Sequence, residues 1–407
     1  MCHQLFAAGG KPYTMVLSAS KSLVPLALIA ACSSALASAS NCVELFIPVS
    51  AQANNTKFNT VKVDSNVDAV EFTLSRDRWD ALTIAEISGG DIAVGGDFEI
   101  SGHFCIPSTP RNGENTLLIA SHGVGLSKGL FDPAYRRDDL SFVKAALDQG
   151  YAVLAYDRLG AGLSSLPDAY DYLQVPLQGE VLRALTERAL NGTIVTASEK
   201  TGGNSSIADY TAQQVVHVGH SYGSIVTNWF LARYDSLSAG AILTGFLIDS
   251  EFGNLKVEIA DLSYAPEHNP TLFENRTSGY LAFGSLTAFQ ADSFKKETLD
   301  PNVLTYWNEN IQSSLGVGEV LTLGTGVGDV VADFTGPLQI FVGENDFAFC
   351  AGQCAGIFDL NQLHGLYPNV KDLDVYLQPN TGHVVQLSLN ATAGYQVIFG
   401  FLSKNGL

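Results

Sequence analysis

Val215-Val216-His217-Val218-Gly219-His220-Ser221-Tyr222-Gly223-Ser224 is the stretch on which the reading of this chain turns. Val215 to Val218 is an apolar run of strand length, and Ile225 to Tyr234 reads as the helix that follows it. Between them, Gly219-His220-Ser221-Tyr222-Gly223 matches G-x-S-x-G. In that motif a strained strand-to-helix turn thrusts the serine out at the edge of a sheet, and glycines stand where a Cβ would collide with backbone. The first N–H groups of the new helix lie beside the hydroxyl and can stabilise negative charge. The pattern also arises by chance, as a small residue in a Gly-rich turn. The strand before it and the helix after it favour Ser221 as a nucleophile.

A serine hydroxyl needs a base to take its proton. His383, in Gln378-Pro379-Asn380-Thr381-Gly382-His383, follows the last strand-like run and is the first candidate, with His364 and His268 as alternatives. His122 and His220 flank glycines in other motifs, and His217 lies on the strand, where a hydrogen-bonded core histidine is expected. His217 and His220 have a helix-like ligand spacing, but on a strand and turn it points to no metal. The base needs a carboxylate to fix its tautomer. Asp346, in Gly343-Glu344-Asn345-Asp346 directly after Leu338–Val342, is expected there; Asp249, which ends the run Ala239–Ile248, is its competitor, and Glu344 reads as a solvated loop acid. Ser, Asp, His is the chain order this motif requires. Oxyanion donors are expected from the Tyr222 N–H and from the loop Ser121-His122-Gly123-Val124-Gly125, through Val124 first and Gly123 next, with His122 ordering the loop.

Taken in order, Val43–Ser50, Asp68–Leu74 and Phe98–Ile106 read as early strands of an antiparallel meander, with Gly95-Gly96-Asp97 as a turn. Asn115–Ala120 and Tyr151–Tyr156 are buried runs, Asp139–Gln149 and Leu173–Leu190 have helical spacing, and Asn191–Ser206 reads as a polar surface loop. Strands alternating with helices imply a mostly parallel, doubly wound sheet. The alternation breaks over residues 250–334, which carry mixed patterns and many aromatics, Tyr264, Phe273, Tyr280, Phe283, Phe289, Tyr306 and Trp307, read as exposed. This segment is expected to be a lid inserted over the strand ends, although most of these aromatics also suit a small core of its own. The core then occupies residues 40–249 and 335–407, ending in a helix from Ala393 to Leu402.

Ser121-His122-Gly123-Val124-Gly125, Asp157-Arg158-Leu159-Gly160-Ala161-Gly162-Leu163-Ser164, Gly219-His220-Ser221-Tyr222-Gly223-Ser224, Gly343-Glu344-Asn345-Asp346 and Gly382-His383 together resemble the α/β-hydrolase superfamily, over about residues 98–250 and 335–403. The resemblance implies an α/β-hydrolase fold with Ser221, Asp346 and His383 as catalytic triad. Asp157 to Gly162 looks like the family's structural turn after the fourth strand and is left out of the site. A serine at the elbow disfavours the branches that use a carboxylate nucleophile, the epoxide hydrolases and dehalogenases.

The chain's 407 residues, 46% hydrophobic and 15% charged, suit a globular protein with a sizeable core. A net charge of −19 argues against nucleic acid and anionic membrane surfaces as partners. At the N-terminus, Lys21, the apolar run Leu23–Ala31 and the small residues Ala35-Leu36-Ala37 form the pattern of a secretory signal peptide over residues 1–39, with Met15 as an alternative start. That run is too short to span a bilayer, and no other segment is apolar enough. Removing Cys2 and Cys32 leaves Cys42, Cys105, Cys350 and Cys354. The expected disulfides are Cys42–Cys105 and Cys350–Cys354, among three open pairings; zinc at Cys350-x-x-x-Cys354 would need two further ligands. Sequons begin at Asn54, Asn191, Asn204, Asn275 and Asn390. Leader, cysteines and sequons suggest a secreted glycoprotein, similar in style to secreted fungal members of the superfamily.

The expected chemistry is hydrolysis of a small apolar carboxylic ester or lactone through an acyl-enzyme. A peptidase, an acyltransferase or biosynthetic cyclase on the same residues, and a non-catalytic binding module of the same fold are the alternatives. No phosphate loop, nucleotide fingerprint or metal cluster is present in the sequence, so no cofactor is expected.

Overall fold

The first two strands carry the longest pairing in the molecule. Cys42–Phe58 (β1) and Ser88–Cys105 (β2) run antiparallel, from Cys42 opposite Cys105 to Phe58 opposite Ser88. Val43, Leu45, Ile47, Val49 and Ala51 are buried at every second position of β1, so one face packs on the core while the other meets solvent. A disulfide joins Cys42 to Cys105, which face each other in register. The computed structural model describes residues 41–201, 207, 209–248 and 258–407, all within one unit, Ser40–Leu407. The leader at 1–39, the alternative start Met15, the Asn204 sequon and Asp249 lie outside the described residues.

Asp68–Leu74 is not a strand. It belongs to a helix, Asn66–Asp77, capped by Ser65, whose Oγ accepts the Asp68 N–H at 3.2 Å. Val70, Phe72 and Leu74 satisfy a period of two, but Ala69 and Phe72, three apart, are the residues that turn inward. Two smaller differences have similar local causes. The helical run Asp139–Gln149 breaks at Ser141, whose extended backbone and Oγ cap a new helix, Phe142–Asp148. Within the expected loop Asn191–Ser206, Glu199–Thr201 (β5) adds to the free edge of β1.

The remaining large-sheet strands are Thr116–Ser121 (β3), Ala152–Tyr156 (β4), Gln214–His220 (β6), Gly240–Thr244 (β7), Leu338–Gly343 (β11) and Leu373–Gln378 (β12), and a small separate sheet holds Ser263–Tyr264 (β8), Tyr280–Ala282 (β9) and Leu315–Gly316 (β10). The large sheet has the order β12-β11-β7-β6-β3-β4-β2-β1-β5. It is parallel from β12 to β4 and antiparallel beyond. Successive residues of the parallel strands point to opposite cores: Leu117, Ile119 and Val215 to one, Leu118, Ala120 and Val216 to the other. Helices Val175–Leu190 and Tyr222–Leu231 cover the first face, and Phe142–Asp148 and Ala391–Lys404 the second. With both faces covered, β3 is buried throughout. This is the α/β-hydrolase fold.

Among the described residues, the chain between β7 and β11 carries the small sheet, the one-turn helix Ala265–His268 and the helices Leu286–Ser293, Pro301–Asn310 and Val317–Leu321. Its aromatics are mostly inside: Phe273, Tyr280, Phe283, Phe289 and Trp307 are buried, and Tyr264 and Tyr306 are half-buried. Phe289 and Trp307 stack with centroids 3.7 Å apart. The segment therefore has packing of its own, continuous with the second core.

Candidate active site

Ser221 follows β6 directly and precedes the helix Tyr222–Leu231 with φ 55° and ψ −121°. For a residue with a Cβ this conformation is strained and must be imposed by its surroundings. The Ser221 N–H donates to the Thr244 carbonyl at 2.9 Å, and the Ser221 carbonyl accepts from Ser224 N–H at 2.8 Å. The turn closes only because both flanking residues are glycines. A Cβ on Gly219 would lie 2.5 Å from Ser224 Cα, and one on Gly223 would lie 2.1 Å from the Ser121 carbonyl oxygen.

His383 follows β12 and Asp346 follows β11, and the parallel pairing of those strands brings the two loops together. His383 Nδ1 lies 2.7 Å from Asp346 Oδ2. Asp346 Oδ1 accepts the Phe349 N–H at 2.9 Å, which makes this residue the cap of the helix Phe347–Cys350. Asp346 is fully buried and His383 nearly so. A disulfide joins Cys350 to Cys354 and closes the loop behind the carboxylate. Asn345 Nδ2 donates to the Gly352 carbonyl within the same loop.

Tyr222 follows Ser221 in the chain, and Val124 lines the same cavity as Ser221. A Cβ on Gly123 would sit 2.8 Å from Ser221 Cβ, so the loop after β3 passes against Ser221. His122 is buried, with Nδ1 2.7 Å from the Gly123 carbonyl and Nε2 accepting the Arg158 N–H at 3.0 Å. That pairing fixes its proton on Nδ1. Burial, together with the nearby Arg158 charge, holds its pKa well below the ordinary histidine value, so it is neutral. His122 orders the loop, as the sequence suggested. His217 is the expected core histidine, between Thr186 Oγ1 and Ser238 Oγ. His220, between Gly219 and Ser221, is buried with its ring 4.9 Å from that of His383, and burial keeps it neutral.

Ser221, His383 and Val124 open into one cavity of about 50 Å³. Leu126, Leu262, Phe283, Phe289 and Leu315 give it apolar walls, and Asp292 and Ser293 are its other polar lining groups. The alternative bases do not reach it: His364 is exposed on the Leu360–Leu366 helix, and His268 lies beside Gln312. Among the described residues, one group of three potential metal ligands lies close together, Cys42, His103 and Cys105, and its sulfurs are spent in the disulfide.

Sequence reasoning passed over Asp292, Arg158 and Glu319. Asp292 was legible as the lone charge in the Leu286–Ser293 helix. Arg158 was set aside with its structural turn, and Glu319, 161 residues away from it, has no local signal that could have paired the two.

A doubly wound sheet whose strand ends present Ser, Asp and His in that chain order defines the α/β-hydrolase class. The chain belongs to the alpha/beta hydrolase family, whose profile matches residues 117–393. Similar solved structures include a thermophilic esterase from Thermogutta terrifontis, at 14% identity over 84% of this chain and 98% of that one, with a TM-score of 0.46. The α/β hydrolase GrgF from a Penicillium species is 17% identical over 76% of this chain and 94% of that one, with a TM-score of 0.48. A Pyrococcus furiosus esterase is 13% identical over 76% and 87%, with a TM-score of 0.44. No curated protein sequence matches the chain.

Proposed function

We propose that this protein is a secreted serine hydrolase that cleaves a carboxylic ester or lactone of a small apolar molecule. One observation carries the reading: Ser221, on its strained turn, and His383, bonded to Asp346, open into the same apolar cavity. In this scheme Ser221 Oγ attacks the ester carbonyl carbon and its proton passes to His383 Nε2. Asp346 accepts from Nδ1–H and stabilises the imidazolium. The oxyanion of the tetrahedral intermediate receives the Val124 and Tyr222 N–H groups. Collapse breaks the C–O bond, His383 protonates the departing alcohol, and water enters the same sequence to release the acid. In a lactone the alcohol stays tethered to the acyl group.

The apolar walls favour a substrate whose acyl or alcohol part is hydrophobic. Residues 250–334 act as a lid on this reading, since Leu262, Phe283, Phe289 and Leu315 come from that segment. Secretion is supported by the leader pattern over residues 1–39 and by two disulfides, which persist in oxidising compartments.

The test is labelling of the purified protein with a fluorophosphonate probe, beside Ser221→Ala, with mass mapping of the adduct. Labelling at Ser221 that disappears in the variant is expected. Folded protein that takes up no label would overturn the acyl-enzyme.

A further inference from the structure

We propose that Arg158 is a positioning residue that sets both halves of the oxyanion hole, and that Glu319, from the segment between β7 and β11, locks it in place. The inference rests on the acyl-enzyme reading above and names what organises that site.

Arg158 and Glu319 are 1% and 2% exposed. The guanidinium spends four of its N–H groups on fixed partners. Nε donates to the His122 carbonyl at 2.8 Å and Nη2 to the Gly123 carbonyl at 3.2 Å; Nη1 donates to Gln178 Oε1 at 2.6 Å and to Glu319 Oε1. Glu319 Oε1 also accepts from Gln178 Nε2 at 3.0 Å, and Oε2 accepts the Gly316 N–H at 2.8 Å. An uncompensated charge at this depth is very costly, so each member holds the others in place.

The consequence for the site follows from peptide geometry. In a trans peptide the C=O and the next N–H point in opposite directions. Arg158 and His122 Nδ1 both draw the Gly123 carbonyl to one side, so the Val124 N–H is turned to the other, where the chain passes Ser221. The same guanidinium lies 4.7 Å from the centre of the Tyr222 ring. Tyr222 carries the second donor, and its hydroxyl lies 3.2 Å from Thr322 Oγ1, just past the helix that bears Glu319. Among the described residues neither the Val124 nor the Tyr222 N–H has a hydrogen-bond partner. One buried cation thus touches the supports of both free donors, and the Val317–Thr322 turn braces it from outside the core fold.

Lysine separates positioning from stability. Arg158→Lys keeps a cation beside Glu319 but cannot span two carbonyls, because its ammonium is a point charge on a flexible stem. With p-nitrophenyl butyrate as probe, kcat is expected to fall about 10- to 100-fold with KM within about twofold. Affinity for phenylboronic acid, which forms a tetrahedral serine adduct, is expected to fall in parallel, while the melting temperature stays closer to wild type than that of Arg158→Met. Glu319→Gln, which keeps the shape and removes the charge, is expected to lower kcat in the same direction and decides the matter if the Arg158 variants do not fold. Unchanged kcat in folded Arg158→Lys or Glu319→Gln, or a loss confined to KM, would overturn the proposal. Ser221→Ala run alongside keeps the two readings apart: full hydrolysis in that variant removes the acyl-enzyme and this inference with it, whereas loss there with no effect at Arg158 removes only the inference.

Discussion

Asp346 divides its carboxylate between two partners: Oδ2 lies 2.7 Å from His383 Nδ1, and Oδ1 accepts the Phe349 N–H at 2.9 Å. One side chain thus orients the proposed base and caps the helix Phe347–Cys350. Asp346→Asn keeps an oxygen for the cap but presents a donor to His383, so the wrong tautomer is favoured. Ester hydrolysis is expected to fall by about 10³- to 10⁴-fold with little change in melting temperature. Asp346→Ala is expected to lose the cap as well, at about 1 kcal/mol of stability. Equal stability of the two variants would remove the second role.

Strain at the elbow gives a prediction of opposite sign. Ser221 holds φ 55° and ψ −121°, which glycine adopts without a Cβ clash. Ser221→Gly is expected to abolish esterase activity and to stabilise the fold by about 1 kcal/mol in urea unfolding. A loss of stability would show that the Ser221 side chain makes contacts worth more than the strain.

His103 makes stability depend on alkaline pH. Burial on its own lowers the pKa of this ring, but hydrogen bonds to Asp132 and Glu44, with their charges, outweigh it and raise the value to about 9. Nδ1 lies 2.5 Å from Glu44 Oε1 and Nε2 3.2 Å from Asp132 Oδ2. A folded-state pKa above the unfolded value, about 6.5, gives stability that is complete below that value. It is lost as pH rises through about 9. Unfolding free energy is therefore expected to decline from about pH 6.5 to 9, and the slope is expected to flatten in His103→Gln. An unchanged slope would count against the pair.

The two disulfides differ in what they constrain. Cys42–Cys105 spans 63 residues and Cys350–Cys354 spans 4. Chain entropy assigns them about 4 and about 2 kcal/mol respectively. Replacing the first pair with serine is expected to cost more stability in denaturant titration. Replacing the second is expected to cost more kcat, since Cys350 ends the helix that Asp346 caps. The reverse ranking would mean that the acid is held by its hydrogen bonds alone.

Surface chemistry sorts the sequons. Asn54, Asn191 and Asn275 are exposed, whereas Asn390 Nδ2 donates to the Pro379 carbonyl at 2.9 Å and to Thr381 Oγ1 at 2.8 Å. On protein made through a eukaryotic secretory pathway, glycopeptide mapping is expected to find glycan at the first three and none at Asn390. Full occupancy at Asn390 would contradict the commitment of that amide.

The sequence by itself determined the elements whose signals are local. The elbow around Ser221 follows from five consecutive residues, and the parallel strands from short apolar runs, since a strand buried on both faces needs no partner to be recognised. Asp346 and His383 were legible because each lies in the loop that follows such a run. Asp68–Leu74 was misread because seven residues satisfy two periods at once, and only the Ser65 cap and the core beneath Ala69 and Phe72 decide between them. The burial of Phe283, Phe289 and Trp307, the apolar cavity that the two phenylalanines line, and the meeting of Arg158 with Glu319 were decided by tertiary structure alone. Contacts between residues so far apart in the chain depend on how the sheet stacks its loops, and no local propensity encodes that.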